Sequence, residues 1–158
     1  MKNDKAAFFE AITMGDTDRL NALLSVNPKL VNENDARGFT PLILATYFNN
    51  EEATQILIEN NADINAKDAS GNTALIGVSF KGNVTLATTL LANGADINAV
   101  NKDGTTALSF ATQYNKIAIV KLLLEHKAIT TTTDNVGKTA LAYAKDKQFD
   151  EIVGLLSA

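Results

Sequence analysis

The chain has no cysteine and no tryptophan. Without cysteine there is no disulfide, no thiolate metal site and no thiol nucleophile. His126 is the single histidine, so an imidazole metal site has no second ligand at any spacing. It sits beside an expected helix end and reads as a solvated residue. Arg19 and Arg37 are the only arginines, which leaves little of the side chain that most often reads phosphate and guanine. A net charge of −4 and a pI near 4.9 give no basic footprint, so nucleic acid is not an expected partner. No stretch approaches the ~18 apolar residues of a membrane span. The short patch from Ala6 to Phe9 is interrupted by Glu10 and is too brief for a secretory core. Soluble, cytoplasmic placement with no membrane contact is the expectation. No glycine-rich phosphate loop is present, and the pairs Glu51-Glu52 and Asp150-Glu151 read as surface helix charges. On this inventory the protein is not an enzyme, and neither a cofactor nor a metal is expected.

What the chain does have is a period. Gly38, Gly71, Gly104 and Gly137 follow one another at 33 residues, as do Thr40, Thr73, Thr106 and Thr139, and Leu42, Leu75, Leu108 and Leu141. A fixed period of this length marks a stack of small units, each burying its apolar face on the next. Within a unit, Asp68-Ala69-Ser70-Gly71 reads as a turn. Thr73 is placed to cap a helix. The position after it holds Pro41, Ala74, Ala107 or Ala140, and proline suits the first helical residue because its missing N–H needs no partner there. That first helix stops at Asn49, Gly82, Asn115 or Gln148. A second helix carries Ile56-Leu57-Ile58, Leu90-Leu91 or Leu122-Leu123-Leu124 and stops at Asn61, Gly94 or Lys127. Asn and Gly tolerate the left-handed conformation that ends a helix. Lys127 does not, so a different turn is expected there. Gly77 lies inside the third unit's first helix and should weaken it by roughly 1 kcal/mol relative to alanine.

Gly38-Phe39-Thr40-Pro41-Leu42 and Gly94-Ala95-Asp96-Ile97-Asn98-Ala99 resemble the ankyrin repeat, and Asn61-Ala62-Asp63-Ile64-Asn65-Ala66 matches with Asn for Gly. The resemblance implies an all-α solenoid of paired antiparallel helices with projecting turns. It covers the chain from about Asp4 to Ala158. The histidine that the family often carries after Thr-Pro-Leu is replaced by Ile43, Ile76, Ser109 and Ala142. Thr130-Thr131-Thr132-Thr133 has lost the Asp-x-Asn-Ala ending. One domain, 1–158, is expected, with units at about 4–34, 35–67, 68–100, 101–133 and 134–158. The first unit should have helices from Asp4 to Met14 and from Thr17 to Ser25, and Asn27-Pro28-Lys29 should hold a one-residue insertion as a turn. The last should end in a helix from Phe149 to Leu156. Leu42, Leu75, Leu108 and Leu141 should form the core strip, closed by Leu57, Leu90, Leu123 and Leu156.

The resemblance implies a non-enzymatic protein-binding module, with a protein partner held on the concave face by turn tips and first-helix ends. By period, the positions so placed include Arg37, Phe39, Asn72 and Thr105 at the tips. The first-helix ends bring Tyr47, Phe48, Phe80, Lys81, Gln113 and Tyr114. Phe39, Tyr47, Phe48, Phe80 and Tyr114 should gather on one face, and aromatic residues dominate interface energetics. A monomer is expected. The alternative function is a small stoichiometric inhibitor or immunity-type protein that blocks a partner enzyme. The repeat is silent on which partner is bound.

Overall fold

In four of the units the first helix begins with the same hydrogen bond. The hydroxyls of Thr40, Thr73, Thr106 and Thr139 accept the amides of Ile43, Ile76, Ser109 and Ala142 at 3.0–3.2 Å. These are the N-caps expected from the sequence, and each satisfies one of the amides a helix start leaves unpaired. The computed structural model describes residues 3–158; Met1 and Lys2, with which the expected domain begins, lie outside them. Among the described residues the elements run in pairs. They are α1 (Asp4–Met14) with α2 (Thr17–Val26), α3 (Pro41–Tyr47) with α4 (Glu51–Glu59), and α5 (Ala74–Lys81) with α6 (Val84–Ala92). Then come α7 (Ala107–Gln113) with α8 (Ile117–Glu125), and α9 (Ala140–Asp146) with α10 (Asp150–Ser157). The Asn27-Pro28-Lys29 segment is not a simple turn: a 3₁₀ helix spans Pro28–Asn32, with Pro28 at its first position.

The pairs stack in chain order, α1 on α3, α3 on α5, α5 on α7 and α7 on α9. This nearest-neighbour packing is what a solenoid of short units requires. Leu42, Leu75 and Leu108 are buried between the first helices, and Leu57, Leu90 and Leu123 close the core from the second helices. Leu141 and Leu156 are only half-buried, because no further pair packs beyond α9 and α10 among the described residues. Lys145, Lys147, Asp150 and Glu151 keep that end polar and exposed.

Two side-chain ladders fix the units to one another. On the loop side, the Oδ1 atoms of Asn32, Asn65 and Asn98 accept the amides of Asp63, Asp96 and Ile129 in the following unit at 2.7–2.9 Å. The ladder ends where the column reaches Thr131. At the tips, Asp35, Asp68, Asn101 and Asp134 each accept two amides of their own turn. Asn101 also donates to the Asn72 side chain at 3.0 Å, and Asn135 donates to the Lys102 carbonyl at 2.8 Å.

The helix stops follow the expected column. Asn49, Asn115 and Gln148 take φ of 55°, 56° and 58°, and Gly82 takes 80°. The turn at Lys127 does not differ from its sisters: φ is 61°, against 66° at Asn61 and 89° at Gly94. The loop that follows must make the same exit, so the lysine accepts a left-handed conformation that costs a non-glycine residue roughly 1–2 kcal/mol.

Candidate functional site

The rings expected on one face are largely open to solvent. Tyr47 is 61% exposed, Phe48 45%, Phe80 42% and Tyr114 50%, while Phe39 is half-buried against the core. They fall into two groups. Tyr47 and Phe48 meet edge to face at 5.3 Å. Phe80 meets Tyr114 edge to face at 4.5 Å and Phe110 at 6.1 Å. Such pairs contribute ~0.5–1.5 kcal/mol beyond their area. They hold the rings in place while Tyr47, Phe48, Phe80 and Tyr114 stay partly open to solvent.

Cations sit on these rings. The Arg37 guanidinium lies 5.0 Å from the Phe39 ring centre and bonds the Asp35 carboxylate at 3.0 Å. Lys81 Nζ lies 4.7 Å from the Tyr47 ring centre and donates to the Tyr47 carbonyl. Lys147, two periods further on, repeats this contact: it lies 5.6 Å from the Tyr114 ring and donates to the Gln113 carbonyl at 2.8 Å. Among the described residues neither lysine has a carboxylate partner. Burial works to raise the Asp35 carboxyl, but the Phe39 amide, the Arg37 side chain and the Arg37 amide outweigh it and hold it below the ordinary range.

Between the two ring groups lies a groove of about 200 Å³, lined by Phe39, Ile43, Tyr47, Gly77, Phe80 and Lys81 among others. Its floor is Gly77, where an added Cβ would meet nothing within 4 Å. The column explains the space. At 33-residue steps it reads Leu44, Gly77, Phe110 and Tyr143, so only the third unit lacks a large side chain there. A second depression of about 230 Å³, with Ile76, Phe80 and Phe110, adjoins Gly77 on its other side.

The structure brings Phe39, Tyr47, Asn72, Phe80 and Lys81 into that one groove. Arg37 and Phe48 share a neighbouring depression with Phe39 and Tyr47. Tyr114 joins through its contact with Phe80. Gln113 and Thr105 lie apart, beside Asp134 and Tyr143. Thr105 is not an exposed tip residue: it is only 6% exposed. Its amide bonds the Asn101 side chain and its carbonyl accepts the Asn101 amide, so the tip closes over it. Asn72 is half-buried, with its side-chain Oδ1 already accepting from the Asn101 side chain.

Ile43, Gly77 and Phe110 were not among the expected site residues, and the period places them in other columns than the expected rings; Lys147 continues the column of Phe48, Lys81 and Tyr114 at the last first-helix end. Tyr143 was also absent. Its hydroxyl donates to Asp134, and Lys138 lies 5.2 Å from its ring. That bond holds the Asp134 carboxyl below its ordinary range, and with burial it pushes the Tyr143 phenol up to about 12. Among the described residues no cluster of His, Asp or Glu is arranged to hold a metal, and no helix is long and apolar enough to cross a membrane. His126 is exposed at the end of α8, its Nδ1 2.9 Å from the Leu122 carbonyl.

A stack of threonine-capped helix pairs joined by hairpin tips defines a helical repeat protein of the solenoid class. The family model "Ankyrin repeats (3 copies)" matches residues 8–100 and 75–158, and the chain belongs to the ankyrin-repeat family. It is also similar to the human "DNA-binding protein RFXANK", with 38% identity over 60 residues. The match covers 38% of this chain and 23% of that protein's length.

Proposed function

We propose that this chain is a non-enzymatic module that binds a protein partner on the concave face formed by its tips and first-helix ends. Ankyrin repeats generally serve as protein-interaction modules. The observation that carries the reading is the uncovered ring row of Tyr47, Phe48, Phe80 and Tyr114. Single exposed apolar residues are ordinary. Rings held by edge contacts around an apolar groove form a contiguous patch, and such patches mark interaction sites. The fold does not need these rings, since the core closes beneath them through Leu42, Leu75 and Leu108. Direct DNA binding is not part of this reading: the chain carries net charge −4 and two arginines, whereas DNA affinity rests on phosphate neutralisation.

The test compares ring-face and outer-face variants against a partner recovered with the full chain. Tyr47→Ala and Tyr114→Ala should each weaken binding by ~2 kcal/mol or more if they are hot spots. Glu52→Ala, on the exposed outer surface of α4, should leave affinity unchanged. Loss with Glu52→Ala and none with the ring variants would move the contact surface elsewhere.

A further inference from the structure

Gly77 lies at the junction of three observations. It is helical, so its conformation does not call for glycine. An added Cβ would touch nothing within 4 Å, so neither does packing. And the same column carries Leu44, Phe110 and Tyr143 in the sister units. A glycine inside a helix is unfavourable by roughly 1 kcal/mol relative to alanine. The fold gains nothing visible in return. What the glycine does is leave the groove between Tyr47 and Phe80 open.

The size of the groove selects its occupant. Sites for drug-sized small molecules run to about 300–1,000 Å³, and this one is about 200 Å³. An apolar cavity of about 150 Å³ accepts benzene. The space therefore suits one large apolar side chain. At one end of α5, Lys81 offers charge. Its ammonium has three donors, and one goes to the Tyr47 carbonyl. Most carboxylates around the face are already engaged; among the described residues that of Asp103, at the fourth unit's tip beside Gln113 and away from Lys81, has no side-chain partner. Asp35 pairs with Arg37, Asp146 with Lys138, and Asp134 with Tyr143. Asp68 lines the groove at the end away from Lys81 and accepts the Ser70 and Asn72 amides, so the two ends of the groove carry opposite charge. Lys147 adds a second cation without a carboxylate partner on the same row. The chain's overall charge of −4 does not cancel this local field, because charges beyond about 8 Å are largely screened at physiological salt.

We propose that the Gly77 groove seats a single large apolar side chain from an acidic peptide segment of the partner, with a neighbouring carboxylate set against Lys81. This rests on the reading of the ring row as the binding face, and it names the chemistry that face recognises.

The experiment selects a random peptide library displayed on phage against the immobilised full-length chain. Selected sequences are then synthesised and their affinity is measured by fluorescence anisotropy. The expected peptides carry Leu, Ile, Met or Phe with Asp or Glu within two positions. Gly77→Leu should weaken them by about tenfold or more, a 1.4 kcal/mol change. Lys81→Gln should weaken them several-fold, with the difference shrinking at high salt. Circular dichroism and a cooperative melt establish that each variant is folded. Should Gly77→Leu fail to fold, Gly77→Ala serves instead, with a loss of a few-fold expected from the narrower groove. Basic or wholly polar selected peptides, or unchanged affinity for the Gly77 variants, would overturn the proposal, as would the absence of any selected peptide. The two readings fail separately. Peptides that lose affinity with Tyr114→Ala but not with Gly77→Leu keep the face and remove the groove. Peptides indifferent to both sets of variants remove both.

Discussion

Lys81 lies over the ring of Tyr47 and donates to the carbonyl of the same residue, tying the end of α5 to the end of α3. The contact is half-exposed, so its worth to the fold is small, about 0.5–1 kcal/mol for the cation on the ring. Lys81→Gln should lower stability by no more than that in a urea titration. A loss of several kcal/mol would mean that the lysine is part of the core architecture and is not held ready for a partner.

Gly77→Ala should raise stability by roughly 1 kcal/mol. The added methyl meets open space, and the helix gains from the smaller entropy of the unfolded chain. The midpoint of chemical denaturation, at unchanged slope, is the measure. Gly104→Ala should do the opposite. There φ is 74° and the new Cβ would stand 2.8 Å from the Asn135 Oδ1.

Lys127→Gly should stabilise. The lysine holds φ of 61°, a conformation that costs a side chain roughly 1–2 kcal/mol and glycine little. The gain is reduced by the greater freedom of glycine in the unfolded chain, which leaves an increase of about 1 kcal/mol or less. A fall in melting temperature would show that the Lys127 side chain makes a compensating contact.

Tyr143 should titrate late. Its hydrogen bond to Asp134 pushes the phenol up to about 12 from an ordinary value of 10.0. Between those two pH values the unfolded chain has released this proton and the folded chain has not. The bond's contribution is therefore present below pH 10 and lost as pH rises towards 12. Absorbance of the phenolate should show a late component, and Tyr143→Phe should remove it. At the acid end the sign reverses for Asp134. Its lowered carboxyl stabilises the fold at neutral pH, and that contribution disappears as pH falls below the ordinary carboxylate range.

Leu75→Ala and Phe80→Ala separate core from face. Leu75 is fully buried, and its truncation should cost ~2–5 kcal/mol. Phe80 is 42% exposed. Its truncation should cost clearly less, since the ring is partly open to solvent before it is removed. Equal destabilisation by the two would place the Phe80 ring in the core.

The repeat architecture was legible because its signals are local. The threonine caps, Pro41, and the Asn and Gly helix stops each act within a few residues, and the structure uses each as expected. Lys127 misled because a conformation costing roughly 1–2 kcal/mol is tolerable when the stack requires it. Thr105 misled for another reason. Its position in the period is that of an exposed tip, but the same turn leaves Phe39 and Asn72 half-buried and Lys138 exposed, so the period fixes the turn and not the burial of the side chain within it. The period placed the rings at the first-helix ends without deciding whether they were exposed or packed, and it did not show the groove. Gly77 reads in sequence as a weak point of a helix. It opens a groove only when Tyr47 from the preceding pair and Phe80 from its own helix stand around it. The Tyr143–Asp134 bond spans nine residues and leaves no periodic trace.

The central claim is that the ring row meets the partner, and oxidative footprinting of side chains reads this directly. The full chain is exposed to hydroxyl radicals alone and in complex with its partner. The account predicts protection of Tyr47, Phe48, Phe80 and Tyr114, with Val26 and Ile129, exposed on α2 and on the loop side, reacting as before. Protection of Val26 and Ile129 with the four rings still reactive would contradict it.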